Sequence, residues 1–302
     1  YLNEVIFYMK ILYLQVLYFT IYSFLGWVCE STYCSIWQKK LVNRGFLNGP
    51  FCPIYGFGAL LVISILSPFV NNIPVLFIAS IIVTSTLEYI TSYVLEKIFH
   101  MSWWDYSTYK YNINGRVCLK NSLMFGVMSL FVILVVHPAV DDFVARINTK
   151  LAFILSILFG TYFIVDTIIT AATILHLNER LEKLYTLHED LLEKRKKHLE
   201  VVRGHLQASL ANQIEELGLS KYSPAEMEEI LSGDFKGNFI KEEHKIMNEL
   251  EFEIKSLSTR IDELKTKGHG VLRRRVIKAF PNMKSLKHRS ILEEIKENID
   301  KK

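Results

Sequence analysis

The 302 residues include 35 Lys and Arg against 31 Asp and Glu, a net charge of +4, and 50% are hydrophobic. The average conceals a division: 18 of the 176 residues up to His176 are charged, 10 basic and 8 acidic, whereas the remaining 126 hold 25 basic and 23 acidic ones. The first part is too apolar for a water-soluble globule and the second too charged to cross a bilayer, while the small basic excess of each gives no sign of a nucleic-acid-binding surface.

Charge gaps place the helices. Between Lys10 and Lys39 the only charged residue is Glu30, from Gly45 to Leu87 there is none, Asn121 to Val140 has none, and Leu151 to Asn178 has only Asp166. A span needs roughly 20 apolar residues. The gaps therefore predict helices at about 11–36, 53–70, 74–98, 117–138 and 151–176. The long second gap divides at Ser67-Pro68-Phe69-Val70-Asn71-Asn72-Ile73-Pro74, a turn-forming cluster without charge. The expected fold is all-α: a polytopic membrane helix bundle of about five spans over residues 1–176, then a cytoplasmic helical or coiled-coil tail over 177–302.

Short loops rich in Lys and Arg stay in the cytoplasm. Lys39, Lys40 and Arg44 follow the first span, and Lys97, Lys110, Arg116 and Lys120 surround the loop after the third. The Lys/Arg-rich tail follows the fifth. This alternation puts the N-terminus outside and the C-terminus inside. No secretory peptide with a cleavage site is seen, so the first span is expected to serve as an uncleaved anchor. Cys29, Cys34, Cys52 and Cys118 all fall near the proposed cytoplasmic side, and no disulfide framework or metal site is expected from them.

Acids inside apolar helices must face protein or water. Thr84, Glu88, Ser92 and Glu96 recur every four residues along one face. Tyr162, Asp166, Thr170 and Thr173 repeat the pattern in the fifth helix, and Ser23, Trp27, Glu30 and Cys34 share a face of the first. Glu88 and Asp166 lie at similar depth and are expected in one layer, as the centre of a hydrated, cytoplasm-facing site. The alternative is that the acids simply glue helices together.

Two loops stand out. Asn43-Arg44-Gly45-Phe46-Leu47-Asn48-Gly49-Pro50-Phe51-Cys52-Pro53 mixes Gly and Pro with apolar residues, which fits a re-entrant or cavity-lining segment or else a packed interfacial connector. Its amides with Arg44 would favour anions. After the third helix come Trp103-Trp104-Asp105-Tyr106-Ser107 and then Arg116, with the aromatic residues suited to the headgroup level. Asp105 is expected to pair with Arg116 or Arg44.

With these residues in view, the chain resembles the CmpB-like type IV ABC-transporter permease family of mainly Gram-positive bacterial membrane proteins. The resemblance is carried over residues 15–145 by Gly26-Trp27 with Glu30, by the Asn43 to Pro50 segment leading to Pro53-Ile54-Tyr55-Gly56, by Glu88 and Glu96, and by Trp103 to Ser107. Lys278-Ala279-Phe280-Pro281-Asn282-Met283-Lys284-Ser285 in the tail looks similar to family members as well. The resemblance implies a bacterial cell-membrane permease without supplying its substrate. The residues proposed to bind substrate or an ion are Glu30, Asn43, Arg44, Asn48, Glu88, Glu96, Trp104, Asp105, Arg116 and Asp166.

The tail shows an apolar stripe at Leu181, Leu184, Leu187, Leu191, Leu199, Val202, Leu206, Leu210, Ile214 and Leu217. A short helix is expected at 225–231 and a break at 233–238. A second seam follows at Met247, Leu250, Ile254, Leu257, Ile261 and Leu264. The two arms suit either an antiparallel hairpin or a homodimer. Arg273, Arg274, Arg275 and Lys278 among apolar neighbours suit an anionic lipid surface, or else a solvated salt-bridge face.

No GxxxxGK[ST] phosphate loop occurs, so an ATP-driven role requires a separate ATP-binding subunit. No HExxH zinc-protease motif or GxSxG serine setting is present, and no cofactor is expected. The leading expectation is a permease-like protein with a cytoplasm-facing polar cavity. A scaffold or sensor recruiting a partner through its tail, and an interfacial enzyme acting on a lipid headgroup, remain alternatives.

Overall fold

The computed structural model of the chain describes residues 2–216, 252, 254–261, 263 and 271–300. Helix α1, Leu2–Gln38, is followed by the Gly/Pro-rich loop and by α2, Pro53–Leu66, which ends in a 3-10 turn at Ser67–Phe69. Helix α3 covers Ile73–Phe99. Asn72 caps its start by accepting a hydrogen bond from the Val75 amide at 3.3 Å, and Pro74 occupies the first turn, where no amide donor is needed. Helix α4, Leu119–Phe131, runs through a π turn at Val132–Val136 into α5, His137–Ala145. Pro138 explains the widened turn, because its ring cannot accept the α-helical approach of the carbonyl four residues earlier. Helix α6 is a single element over Thr149–Glu216.

Four helices are long and apolar enough to cross a membrane: Phe7–Ile36, Ile73–Phe99, Leu119–Ala145 and Thr149–Gly204. The fifth expected span, 53–70, is a shorter apolar helix, Pro53–Phe69. Its shortness has a local cause. The Cys52 amide, just before α2, donates 2.9 Å to the Ser23 carbonyl, well inside α1 rather than at its end. The loop thus brings the chain deep along α1 before α2 begins.

Close contact between α1 and α2 depends on two glycines. A Cβ at Gly26 would overlap the Tyr55 side chain, and one at Gly56 would overlap Ser23 and Phe19. Elsewhere the bundle packs through small apolar clusters. Val62, Leu66, Leu76 and Ile133 join α2, α3 and the π turn, while Tyr22, Val140 and Val144 join α1 to α5.

Two minimal antiparallel ladders complete the loop end. Strand β2, Asn112–Ile113, pairs with β3, Val117–Cys118. Their turn passes through Asn114 and Gly115, with φ of 53° and 68°. That left-handed pair is what an Asn-Gly turn supplies. Strand β1, Met101–Ser102, pairs with β4, Lys284–Ser285, so the C-terminal segment joins the loop that follows α3. Helix α7, Val271–Ala279, precedes β4, and α8, Arg289–Asp300, follows it.

The chain divides into two compact units, 1–180 together with 269–302, and 181–268. In the second unit Leu181, Leu184 and Leu191 are buried and Leu187 and Val202 half-buried, whereas Leu199 is 67% exposed. In the helical stretch 254–261, Ile261 is buried and Ile254 and Leu257 are half-buried while the residues between them are exposed. The short helix expected at 225–231, the break at 233–238, and Leu217, Met247, Leu250 and Leu264 lie outside the described residues.

Candidate functional site

The Gly/Pro-rich loop is held by side chains from two helices. Asp166 on α6 accepts from the Asn48 amide at 3.0 Å, from Asn48 Nδ2 at 2.9 Å, from the Gly49 amide at 2.9 Å and from the Tyr162 hydroxyl at 3.0 Å. The loop amides expected to favour an anion are therefore taken by an anion of the protein itself. Gly49 permits this approach, since a Cβ there would overlap the Tyr162 hydroxyl. From the α1 side, Trp27 Nε1 donates to Asn43 Oδ1 at 2.7 Å, and Asn43 Nδ2 donates to the Asn48 carbonyl at 3.0 Å. The Arg44 amide donates to Ser31 Oγ at 3.2 Å, and Arg44 Nε pairs with Glu30 Oε1 at 3.3 Å.

The aromatic loop hangs from the β2–β3 turn. Trp104 Nε1 donates to the Arg116 carbonyl at 2.8 Å, and the Tyr106 amide to the Gly115 carbonyl at 2.8 Å. This suspension aims the Tyr106 hydroxyl at Glu88 Oε1, to which it donates at 3.2 Å. Burial first, and then the neighbouring Glu88 charge, push the Tyr106 phenol up, so it remains a donor. Asp105 pairs with neither Arg116 nor Arg44, correcting the expectation. Its partner is Lys284 at 2.5 Å, and the Ser107 amide donates to it at 2.8 Å. The Lys284 hydrogen bond is the main cause that holds the Asp105 carboxyl down at about 2. Arg116 pairs instead with Glu96 at 2.5 Å, the contact that chiefly raises its own pKa, and lies over the Tyr89 and Tyr93 rings at 5.3 and 5.4 Å.

The C-terminal segment closes onto both loops. Arg275 Nη2 donates to the carbonyls of Gly45 at 3.1 Å and Phe46 at 2.9 Å, while Nη1 donates to those of Gly45 and Leu47. Burial is the main cause that lowers the Arg275 pKa. Arg44 answers from the loop by donating to the Ala279 carbonyl, and its guanidinium lies 5.0 Å from the Phe280 ring centre. Phe280 in turn meets Trp103 edge-on at 4.8 Å, and Trp103 meets Phe46 at 5.2 Å.

Beneath this closure lies a cavity of about 480 Å³. Its walls come from α2, α3 and α4, and its loop end from Glu30, Arg44, Trp104 and Phe280. Most of the lining is apolar or aromatic. Glu88, 6% exposed, lines it from α3, with Thr84 one turn away.

The structure thus divides the residues singled out by sequence. Glu30, Arg44, Glu88 and Trp104 line one cavity. Asp166, Asn43 and Asn48 form the loop anchor, and Asp166 is not among the lining residues, so the expected shared layer of Glu88 and Asp166 does not become a shared cavity. Glu96 with Arg116 and Asp105 with Lys284 are separate ion pairs. Arg274 and Lys278 are exposed and Arg273 half-buried, whereas Arg275 turns into the loop. Sequence reasoning missed Tyr106, Phe280 and Lys284 as functional side chains. All three sit within the motifs that carried the family resemblance, and the presence of one motif in the tail and another in a membrane loop was the available signal that the two meet.

A comparison with known families decides the relationship. The family described as "Putative ABC-transporter type IV" (ABC_trans_CmpB) matches residues 17–171. The chain belongs to this family. The match takes in every element from α1 to the Asp166 stretch of α6, so the loop anchor and most of the cavity wall fall inside the family region. With four helices long and apolar enough to span a bilayer, this family member is a membrane protein. No curated protein and no solved structure matches the chain.

Proposed function

We propose that the chain is the permease subunit of an ATP-driven transporter and that its substrate occupies the Glu88 cavity from the cytoplasmic face. The observation carrying this reading is the cavity itself: a largely apolar chamber, with a nearly buried carboxylate within it and an ion pair, Glu30 with Arg44, at the loop end. The chain lacks a phosphate-binding loop, so ATP hydrolysis belongs to a separate subunit. Orientation follows from charge. Lys39, Lys40, Arg44, Lys110 and Arg116 share the loop end with the basic 271–300 segment, and basic loops stay inside. The N-terminus is then outside, the chain crosses several times, and exposed Arg274 and Lys278 meet anionic headgroups.

The test is purification of the tagged full chain from native membranes in mild detergent. An ATP-binding subunit carrying GxxxxGK[ST] should accompany it, and the complex should hydrolyse ATP in a vanadate-sensitive manner. An intact, monodisperse preparation without such activity would overturn the reading. A scaffold role is the second reading, favoured by the separate compact unit 181–268. It requires that deleting this unit abolish partner capture while ligand binding in the cavity persists.

A further inference from the structure

We infer that the cavity takes a molecule with an ammonium group on an apolar, preferably aromatic, body, and that the ammonium sits at Glu88. The inference rests on the cavity being the substrate site and names the class of substrate. Among the described residues that line it, only Glu30, Arg44 and Glu88 carry charge. The Arg44 guanidinium is already divided between Glu30, the Ala279 carbonyl and the Phe280 ring. That leaves Glu88. Its Oε1 accepts from Tyr106, but its Oε2 is buried without a hydrogen-bond partner among the described residues. A buried carboxylate with one unsatisfied oxygen calls for a cation or a strong donor.

Three competing ligand classes fit less well. An anion would meet the Glu88 charge and find the Arg44 guanidinium and the loop amides of Asn48 and Gly49 already engaged. A purely apolar molecule would seal Glu88 away with its acceptor still empty. A bare metal ion needs several oxygen ligands, and no group of three or more candidate metal ligands exists among the described residues. An organic ammonium meets all the requirements at once. Its N–H groups satisfy Oε2, and its charge is also attracted by the faces of aromatic rings such as Tyr55, Phe57, Trp104 and Phe125, which line the same space. Its apolar body fills a volume of about 480 Å³, within the usual range for small-molecule sites. An amine-headed lipid from the bilayer and a soluble lipophilic amine share this chemistry.

The test is equilibrium dialysis of the detergent-solubilised full chain with tritiated propranolol, a naphthyl-bearing alkylammonium, against naphthylacetate, which carries a carboxylate on a similar ring. Saturable binding of the amine near one per chain, absent for the acid, is expected. Glu88→Gln should weaken it more than about thirtyfold, the least expected from losing one partner of a desolvated charge pair. Glu88→Asp, which keeps the charge, should retain most of it and guards against a folding artefact. Displacement by short-chain phosphatidylethanolamine but not by matched phosphatidylglycerol assigns the ammonium to lipid; no displacement by either assigns it to a soluble amine, and both support the inference. Equal uptake of naphthylacetate, or propranolol binding untouched by Glu88→Gln, overturns it. Flux of the same probe into proteoliposomes is scored separately: binding without flux, even with ATP and the co-purified subunit supplied, keeps the ammonium site and removes the permease role.

Discussion

Replacing Asp166 by Asn should loosen the Gly/Pro-rich loop without disturbing the helices. Asp166 accepts five hydrogen bonds through two oxygens: Oδ1 serves the Asn48 amide and side chain and, at 3.4 Å, the Thr170 hydroxyl, and Oδ2 serves the Gly49 amide and the Tyr162 hydroxyl. Asn keeps one carbonyl oxygen and turns an NH2 toward the other two donors. The part-buried Gly49 amide and the Tyr162 hydroxyl each lose a hydrogen bond to a charged group, at about 1 to 3 kcal/mol each, or about 2 to 6 kcal/mol together. If the loss falls on the loop alone, even the lower bound raises its opening constant about thirtyfold. Cys52 at the end of the loop is buried and reports that opening. In a chain retaining Cys52 but lacking Cys29, Cys34 and Cys118, maleimide should label Asp166→Asn at least about thirtyfold faster than the parent. Tyr162→Phe, which removes one bond of about 1 kcal/mol, should give about fivefold. Labelling rates within twofold of the parent for Asp166→Asn would refute the assignment of Asp166 as the anchor.

The other expectations concern the closure and the helix contacts. Arg275→Ala frees the Gly45, Phe46 and Leu47 carbonyls and should speed maleimide labelling of a cysteine placed at buried Met283 by more than about tenfold, whereas Arg274→Ala, at an exposed position, should leave it unchanged. Because Asp105 is held down at about 2, its contribution is complete above the usual carboxylate range near pH 4 and is lost as pH falls toward 2. Amide exchange at Lys284 and Ser285, corrected for intrinsic rate, should accordingly hold steady from pH 7 to 4 and rise below that. The pair is partly exposed, so the gain is under about 1 kcal/mol, and Lys284→Ala should abolish the acid step. Gly56→Ala, which would press on Ser23 and Phe19, should lower stability by about 1 to 3 kcal/mol in a detergent thermal melt, while Gly160→Ala, with nothing within 4 Å, should be neutral or stabilising.

The long helices were legible because a bilayer penalises every buried charge, which makes uncharged stretches visible as gaps. The second helix was read at 53–70 and runs Pro53–Phe69, so its bounds were legible; what an uncharged gap does not show is that the loop before it lies along α1, held by the bond from Cys52 to Ser23. The unusual loop was conspicuous from its Gly and Pro content, yet its amides were assigned to an outside anion because Asp166 lies 118 residues from Asn48. Ion-pair partners were the least legible feature. Asp105 had two arginines closer in sequence than Lys284, and the Asn-Gly turn that diverts Arg116 toward Glu96 decides the matter through backbone geometry rather than composition. The return of α7 to the bundle left no periodic trace, since a nine-residue amphipathic helix reads the same beside a lipid surface or a protein loop.

In the chain, residues 181–268 separate Asp166 on α6 from Arg275 on α7. Asp166 holds Asn48 and Gly49, and Arg275 donates to the carbonyls of Gly45, Phe46 and Leu47. Five consecutive residues, Gly45 to Gly49, thus depend on two side chains far apart in the chain, and neither can shift without loosening its own share of that backbone.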